Sequence, residues 1–189
     1  MTEPSSSKVV CIRVGDKYGS GYVDRLYRGL LRHTRRRFDF VCLQEEKFPG
    51  WWNKLSLFPP KERVVYLDLD LVITANIDFL FDYEGPFCVW KDPWAEQLNT
   101  SVMSIAPGYG ERIRQLFLAN PKAIMREFYG DQNFITAVVK KADFWPADKI
   151  KSYKADSLQA GPGEAAIVVF HGDPKPATFN EGWVKDAWN

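Results

Sequence analysis

The most constraining feature of the sequence is VVYLDLDLVI at positions 64–73, where two aspartates interrupt an otherwise apolar run. Such runs are typical of strands buried on both faces, as in the centre of an α/β sheet. On an extended chain Asp68 and Asp70 lie on one face, with Cα atoms about 7 Å apart. Because like charges this close repel, they need a compensating cation or proton. Since apolar residues resume at Leu71, the run predicts a divalent metal site rather than an exposed turn.

A second candidate ligand follows another apolar run. His171 comes directly after IVVF and begins the segment HGDPKP. A lone histidine is more often structural than a ligand. Here Gly172 permits close approach of the backbone, and Lys175 places a positive charge where an anion could bind. Imidazole beside two carboxylates favours Mn²⁺ over Mg²⁺, which stays as the alternative.

Strand and helix patterns alternate in the first half of the chain. Strand-like runs occupy positions 8–14, 38–43 and 64–67, with helical patterns between them, and further strand-like runs occupy 87–91, 101–106 and 167–170. This order predicts an α/β fold with a central, mixed, mostly parallel sheet and helices on both faces. Ligands of such sheets bind beyond the carboxyl ends of the strands, where the two aspartates and His171 are expected.

Size and composition restrict the classes of function. A chain of 189 residues predicts one domain, assigned here to residues 8–189, after a flexible N-terminus at 1–7. A net charge of +1 argues against nucleic acid or an anionic membrane as the partner. With no apolar run of spanning length and no secretory signal, we expect a soluble, cytoplasmic protein. The oligomeric state is left open.

The three cysteines are the next constraint. Cys11, Cys42 and Cys88 are odd in number, far apart and set in apolar runs. This pattern predicts buried free thiols rather than a disulfide framework or a zinc site.

The turn after the first strand could bind a nucleotide base. Gly15, Asp16 and Tyr18 offer a backbone group, a carboxylate and a ring at that position. An ordinary turn before a helix explains these residues equally well. The chain contains neither GxGxxG nor GxxxxGK[ST], so the usual dinucleotide and phosphate-loop motifs are absent.

Three further polar residues are candidates that also have an ordinary structural explanation. Asn99 is either a recognition residue or part of a turn. Asp131 and Gln132 stand at the start of a helical pattern, where the default interpretation is a helix cap and its neighbour.

In combination, these segments resemble the retaining glycosyltransferases of the glycogenin and bacterial lipopolysaccharide galactosyltransferase type, which have the nucleotide-sugar-binding GT-A fold. The resemblance covers about residues 8–176 and consists, in order, of VGDKY, WWNKLSLF, RVVYLDLDLVI, NTSVMSI, GDQNFI and HGDPKP. It implies a metal-dependent transfer of a sugar from a nucleotide-sugar donor, a UDP-hexose, to a carbohydrate or glycoconjugate acceptor, with retention of configuration.

The resemblance also implies a role for each candidate residue. The residues that would hold Mn²⁺ are Asp68, Asp70 and His171. Those facing the base would be Gly15, Asp16 and Tyr18. Those contacting the diphosphate would be Lys54, Gly172 and Lys175. Those lining the donor sugar would be Asn99, Asp131 and Gln132, the last two near the reacting carbon.

Two alternatives remain open. A haloacid dehalogenase-type phosphatase also carries an apolar strand followed by DxD, with the first aspartate as nucleophile. However, that motif normally opens the domain, and here at least two strands precede it. A non-enzymatic module that binds sugar or nucleotide without transfer is the other alternative, and the combination of Asp68, Asp70 and His171 argues against it.

Overall fold

The computed structural model describes residues 7–189. Ser7, one residue before the predicted domain boundary, is already the first residue of a strand; the rest of the predicted flexible N-terminus lies outside the described residues. The strands are β1 (Ser7–Ile12), β2 (Phe38–Leu43), β3 (Val64–Leu67), β4 (Leu71–Ile73), β5 (Phe87–Lys91), β6 (Leu98–Ile105), β7 (Asp143–Phe144), β8 (Ile150–Ser152) and β9 (Ile167–Val169).

The rest of the regular secondary structure in residues 7–189 is helical. The α-helices are α1 (Ser20–His33), α2 (Phe79–Asp82), α3 (Glu111–Ala119), α4 (Pro121–Glu127), α5 (Asp131–Val138) and α6 (Gly182–Trp188). Two further segments are 3₁₀ helices, Gly50–Leu57 and Pro176–Thr178. The first lies between β2 and β3, where the sequence predicts a helical pattern.

Six strands form the large sheet, in the order β2-β1-β3-β6-β5-β7. β1 pairs in parallel with β2 and β3, and β5 pairs in parallel with β7. β6 is antiparallel to both β3 and β5. The sheet is therefore mixed, and all four residues of β3 are buried, as the apolar run predicts.

The last predicted strand does not belong to this sheet. β9 pairs with β4 and β8 in a separate three-stranded arrangement, the small sheet, with the order β4-β9-β8. The apolar residues after Asp70 are therefore not a continuation of the central strand; they form β4. Strands of three residues are too short to show a period, so the sequence could not assign them to a second sheet.

Helices pack on both faces of the large sheet, as predicted. Because side chains alternate along a strand, Val65 faces one layer and Tyr66 the other. The first layer includes Leu30 of α1, and the second includes Trp52 of the long 3₁₀ helix and Phe117 of α3. Burial of each large apolar side chain stabilises the fold by roughly 1.5–3 kcal/mol.

The cysteine prediction is confirmed for the free thiols and for the burial of Cys11 and Cys88, but Cys42 is more exposed than predicted. Cys11 and Cys88 are buried, Cys42 is half-buried, and all three are free thiols. Within residues 7–189, none of the helices combines the length and apolar character that crossing a membrane requires.

Candidate active site

A cleft of about 560 Å³, the main cleft, has a volume that suits a small-molecule ligand. This main cleft lies beyond the carboxyl ends of β1 and β3. Most of the residues selected from the sequence line it: Tyr18, Lys54, Asp68, Asp70, Asn99, Asp131, Gln132, His171, Gly172 and Lys175. Gly15 and Asp16 are exposed in the preceding turn and do not line it. Gly15 has a φ of +61°, which glycine adopts readily.

Asp68 is the first residue after β3, and its backbone N–H donates to the carbonyl of Ser101 at 2.9 Å. Its carboxylate accepts a hydrogen bond from the Tyr66 hydroxyl at 2.6 Å. Lys54 Nζ lies 3.0 Å from Asp68 Oδ1. A tyrosine and a lysine therefore fix the orientation of this carboxylate.

Lys54 comes from the long 3₁₀ helix and is almost completely buried. Its Nζ lies 3.2 Å from Thr100 Oγ1 and 3.9 Å from Asp131 Oδ2. Burial opposes the charge on Lys54, but the charges of Asp131 and Asp68 outweigh it and raise the pKa of the lysine. Lys54 therefore stays protonated inside the protein.

Asp131 is the first residue of α5, yet its side chain does not cap that helix. Instead Asp131 Oδ2 accepts a hydrogen bond from Thr100 Oγ1 at 2.8 Å. Burial raises the pKa of Asp131, against the opposing effects of Lys54 and Thr100. The default interpretation of Asp131 as a cap is therefore wrong, because its carboxylate serves the buried network with Lys54.

Asp70 is held by residues from distant parts of the chain. Its carboxylate accepts hydrogen bonds from the Tyr18 hydroxyl at 2.8 Å and from Lys175 Nζ. Its carbonyl accepts from the backbone N–H of Phe170 at 2.9 Å, which joins the strand exit to the small sheet. Burial, with the charge of Asp70, raises the pKa of Tyr18, so the phenol remains a hydrogen-bond donor.

Each aspartate of the DxD segment thus has a lysine partner, Lys54 for Asp68 and Lys175 for Asp70. The sequence predicts that a divalent metal compensates the two charges. Two lysines compensate them in this structure, and neither lysine could be assigned to an aspartate by sequence position alone.

His171 follows β9 and is enclosed by aromatic rings. Its ring stacks on Trp90 at a centroid distance of 5.4 Å and meets the edge of Trp94 at 4.9 Å. Its Nε2 is buried and has no hydrogen-bond partner within residues 7–189. Burial lowers the pKa of His171, against the charge of Asp70, so its imidazole is neutral near pH 7. A nitrogen of a neutral imidazole that has no hydrogen-bond partner is available to bind a ligand in the cleft.

The side chains of Asp68, Asp70 and His171 fit a divalent cation, because two carboxylates and a neutral imidazole are suitable ligands of Mn²⁺. In the part of the chain that the structure describes, however, no three His, Cys, Asp or Glu side chains form a ready metal-binding group. A cation at Asp68 and Asp70 would have to replace contacts that the two lysines now make.

Asp92 is a site residue that was not selected from the sequence, because an Asp-Pro dipeptide is typical of an ordinary turn. It is buried, and its Oδ2 accepts hydrogen bonds from Asn99 Nδ2 at 3.2 Å and Gln132 Nε2 at 3.0 Å. The available signal was its position directly after β5, which matches that of Asp68 after β3. Asp92 orients two of the predicted sugar-site amides.

Two aromatic residues form an exposed platform at the rim of the main cleft. The rings of Trp51 and Tyr129 stack at 5.9 Å with an interplanar angle of 27°. Trp51 is 46% exposed and Tyr129 86% exposed. Exposed rings beside a polar cleft can pack against the apolar face of a sugar.

Solved structures share this architecture over nearly the whole chain. The glycosyltransferase GlyE of Streptococcus pneumoniae TIGR4 aligns with a TM-score of 0.69 and 16% identity, covering 96% of this chain and 60% of GlyE. The galactosyltransferase LgtC, solved with donor and acceptor sugar analogs, aligns with a TM-score of 0.67 and 13% identity, covering 96% of this chain and 91% of LgtC. The chain has the GT-A glycosyltransferase fold. The bifunctional glycosyltransferase WbbM shares this GT-A fold, with a TM-score of 0.68, 13% identity and coverage of 93% of this chain and 47% of WbbM.

Comparison of sequences also leads to a glycosyltransferase. The alpha-1,2-mannosyltransferase MNN2 of Candida albicans (strain SC5314) is 32% identical over 110 residues, covering 56% of this chain and 17% of MNN2. The GT-A chain thus spans about a sixth of the length of this curated relative. No family model matches it.

Proposed function

We propose that this chain is a metal-dependent glycosyltransferase that moves a hexose from a UDP-sugar to a carbohydrate or glycoconjugate acceptor with retention of configuration. The observation that carries the proposal is the convergence of Asp68, Asp70 and the unpartnered His171 Nε2 on one cleft of a GT-A fold. The likeness to glycosyltransferases in both sequence and structure supports sugar transfer over the phosphatase chemistry.

The residues that would hold Mn²⁺, or Mg²⁺ as the alternative, are Asp68, Asp70 and His171. When bound, the metal supplies positive charge to the diphosphate of the donor. Lys54 and Lys175, which pair with the two aspartates in this structure, would then be free to face the diphosphate.

The two lysines suit the leaving group. Negative charge develops on the diphosphate as the sugar departs, and fixed cations in a water-poor cleft stabilise such charge strongly. Lys54 is buried between Asp68 and Asp131, and Lys175 Nζ is anchored by the carbonyl of Phe170 at 3.0 Å. Gly172 lines the same part of the cleft and leaves room for the phosphates.

The donor sugar is assigned to the polar network of Asn99, Asp131 and Gln132, which Asp92 and Thr100 orient. In the transfer, an acceptor hydroxyl oxygen bonds to the anomeric carbon as the bond from that carbon to the diphosphate oxygen breaks. The diphosphate leaves with the electron pair, and the hydroxyl proton passes to the departing phosphate oxygen. Asp131 and Gln132 would stabilise the oxocarbenium-like sugar from the part of the cleft that they line.

The remaining subsites follow from the cleft's lining. Tyr18 offers a ring for the base near β1, with Gly15 and Asp16 in the adjacent turn as further candidates. Trp51 and Tyr129 offer an apolar platform for the acceptor at the rim.

Calorimetric titration of UDP tests the proposal directly. We expect UDP to bind in the presence of Mn²⁺ and binding to fall at least about tenfold with EDTA or in Asp70→Asn. Asp186→Asn, which removes the same charge from the exposed face of α6, should bind like the wild type. Equal UDP binding by the Asp70→Asn variant, or with EDTA, would contradict the metal-dependent site.

Two further measurements address the substrate and the stereochemistry. UDP-hexoses are incubated with the protein and Mn²⁺, and NMR of the anomeric signals reports transfer with retention or inversion. GDP replaces UDP in a parallel titration, and its preference over UDP would reject the uridine donor. Hydrolysis of p-nitrophenyl phosphate that depends on Asp68 would support the phosphatase instead.

A further inference from the structure

A second cleft of about 360 Å³, the side cleft, opens beside the edge strand β7. It lies between β5 and the C-terminal end of α5. Its lining includes three lysines, an amide and an aromatic ring, from Lys91, Lys140, Lys141, Gln97 and Phe144. Its volume is near the lower limit for small-molecule sites, which suits a single sugar unit.

The side cleft carries excess positive charge. Lys91 Nζ lies 3.5 Å from Glu96 Oε1, but the Glu96 side chain is 94% exposed, so water screens this pair. Lys140 and Lys141 have no salt bridge to any residue in the range 7–189. They come after Val139, the C-cap of α5, whose C-terminal dipole tolerates cations. Three lysines around one small cleft favour an anionic ligand.

The cleft also offers apolar surface. Phe144, on the edge strand β7, is 50% exposed. Val139 and Leu98 add aliphatic surface to the same lining. An aromatic face beside cations suits a molecule with both a sugar ring and a charged group better than a bare inorganic ion.

One residue connects the two clefts. Gln97 lines both of them, and its Oε1 accepts a hydrogen bond from Asn133 Nδ2 at 2.9 Å. Asn133 lines the main cleft and is next to Gln132 on α5. A saccharide whose charged end occupied the side cleft would therefore extend past Gln97 towards the predicted donor-sugar site.

We propose that the side cleft binds the anionic group of the acceptor, a saccharide that carries a phosphate or a carboxylate. The assignment of this ligand as acceptor rests on the proposed function, whereas its binding to the side cleft does not require a donor. Lys140 and Lys141 hold the charge, and Phe144 packs against the sugar ring.

Binding is measured by calorimetry without donor or metal, with four probes: glucose 6-phosphate, glucuronate, glucose and inorganic phosphate. We expect one or both anionic sugars to bind, and to bind at least about tenfold more tightly than glucose or inorganic phosphate. Comparing glucose 6-phosphate with glucuronate identifies which charged group is preferred. The Phe144→Ala variant should lose affinity for the anionic sugars.

The double variant Lys140→Gln/Lys141→Gln should bind the preferred anionic sugar at least about tenfold more weakly. Lys61→Gln/Lys122→Gln, which removes two exposed lysines from outside both clefts, should bind it normally. Lys91→Gln provides an independent variant on β5 if the double variant does not fold. A purely structural role at the end of α5 would lower the Tm without changing the affinity.

Several results would overturn the inference: equal affinity for glucose and the anionic sugars, inorganic phosphate binding as tightly as either sugar, or no loss of affinity in the folded lysine variants. UDP binding with Mn²⁺ is measured on the same preparations. If the wild type does not bind UDP but does bind an anionic sugar, the proposed function fails and the side-cleft inference stands. If it binds UDP but none of the anionic sugars, only the side-cleft inference fails.

Discussion

The two clefts contain similar kinds of charged residues in opposite states. In the main cleft, Lys54 is buried and contacts Asp68 and Asp131. In the side cleft, Lys140 and Lys141 are exposed and lack salt bridges within the described residues. A buried lysine contributes to stability through its partners, whereas an exposed lysine is hydrated and available to a ligand. The same residue type therefore supports the fold in one cleft and is free to bind in the other.

The largest expected effect is that of Lys54→Met. It leaves the buried carboxylate of Asp131 without its cation, which should lower the free energy of unfolding by about 3 kcal/mol, measured by chemical denaturation. Because burial already raises the pKa of Asp131, lowering the pH should protonate this carboxyl group and restore part of the loss.

The matched comparison is Lys140→Met, the same substitution in the side cleft. It should change the free energy of unfolding by less than about 0.5 kcal/mol. Equal effects of the two substitutions would break the distinction between the clefts.

Lys175→Met should have an intermediate effect. The Lys175 side chain is 13% exposed against 9% for Lys54, and Tyr18 remains as a second donor to the Asp70 carboxylate. We expect a loss of about 1.5 kcal/mol in the free energy of unfolding. A loss as large as that of Lys54→Met would show that the Asp70 pair is as dependent on its lysine as the deeper network.

Asn133→Ala tests the boundary between the clefts. Loss of the hydrogen bond to Gln97 should lower the free energy of unfolding by about 1 kcal/mol. A double-mutant cycle with Gln97→Ala isolates the contribution of the pair. Strictly additive single losses would show that the two amides are not coupled.

The smallest expected effect is that of His33, whose exposure lies between that of the buried Lys54 and that of the exposed Lys140. Burial, with the charge of Arg32, lowers the pKa of His33 below its ordinary value of 6.5. The unfolded chain therefore takes up this proton first, so the contribution of His33 to stability is largest above pH 6.5 and falls as the pH drops below it. In His33→Gln, the fall in Tm between pH 7 and pH 5.5 should shrink by less than about 2 °C. An unchanged pH dependence would contradict the lowered pKa.

Much of the fold could be predicted because its elements are long or strongly patterned. The apolar run before Asp68 identified a central buried strand, and the alternation around it identified an α/β sheet. Asp68, Asp70 and His171 could be selected because polar side chains directly after apolar runs are unusual. Asp68 reaches the cleft because β3 ends there, whereas the antiparallel pairing of β4 with β9 in the small sheet places Asp70 beside the segment that carries His171.

The remaining features depend on contacts that sequence spacing does not encode. The small sheet consists of strands of three residues, each too short for a periodic signal. The pairing of Lys54 with Asp68 and of Lys175 with Asp70 depends on how a 3₁₀ helix and the segment after β9 are placed. Asp92 was hidden by its proline neighbour, although it orients both Asn99 and Gln132.

The junction of the two sheets at Asp68-Leu69-Asp70 has a consequence for folding order. Asp70 meets Lys175 across 105 residues of sequence, and the small sheet joins β4 to β9 over a similar separation. Closing so long a loop is entropically unfavourable until many other contacts exist, so these pairings should form late. Recovery of ligand binding after dilution from denaturant should therefore lag behind the recovery of helical circular dichroism.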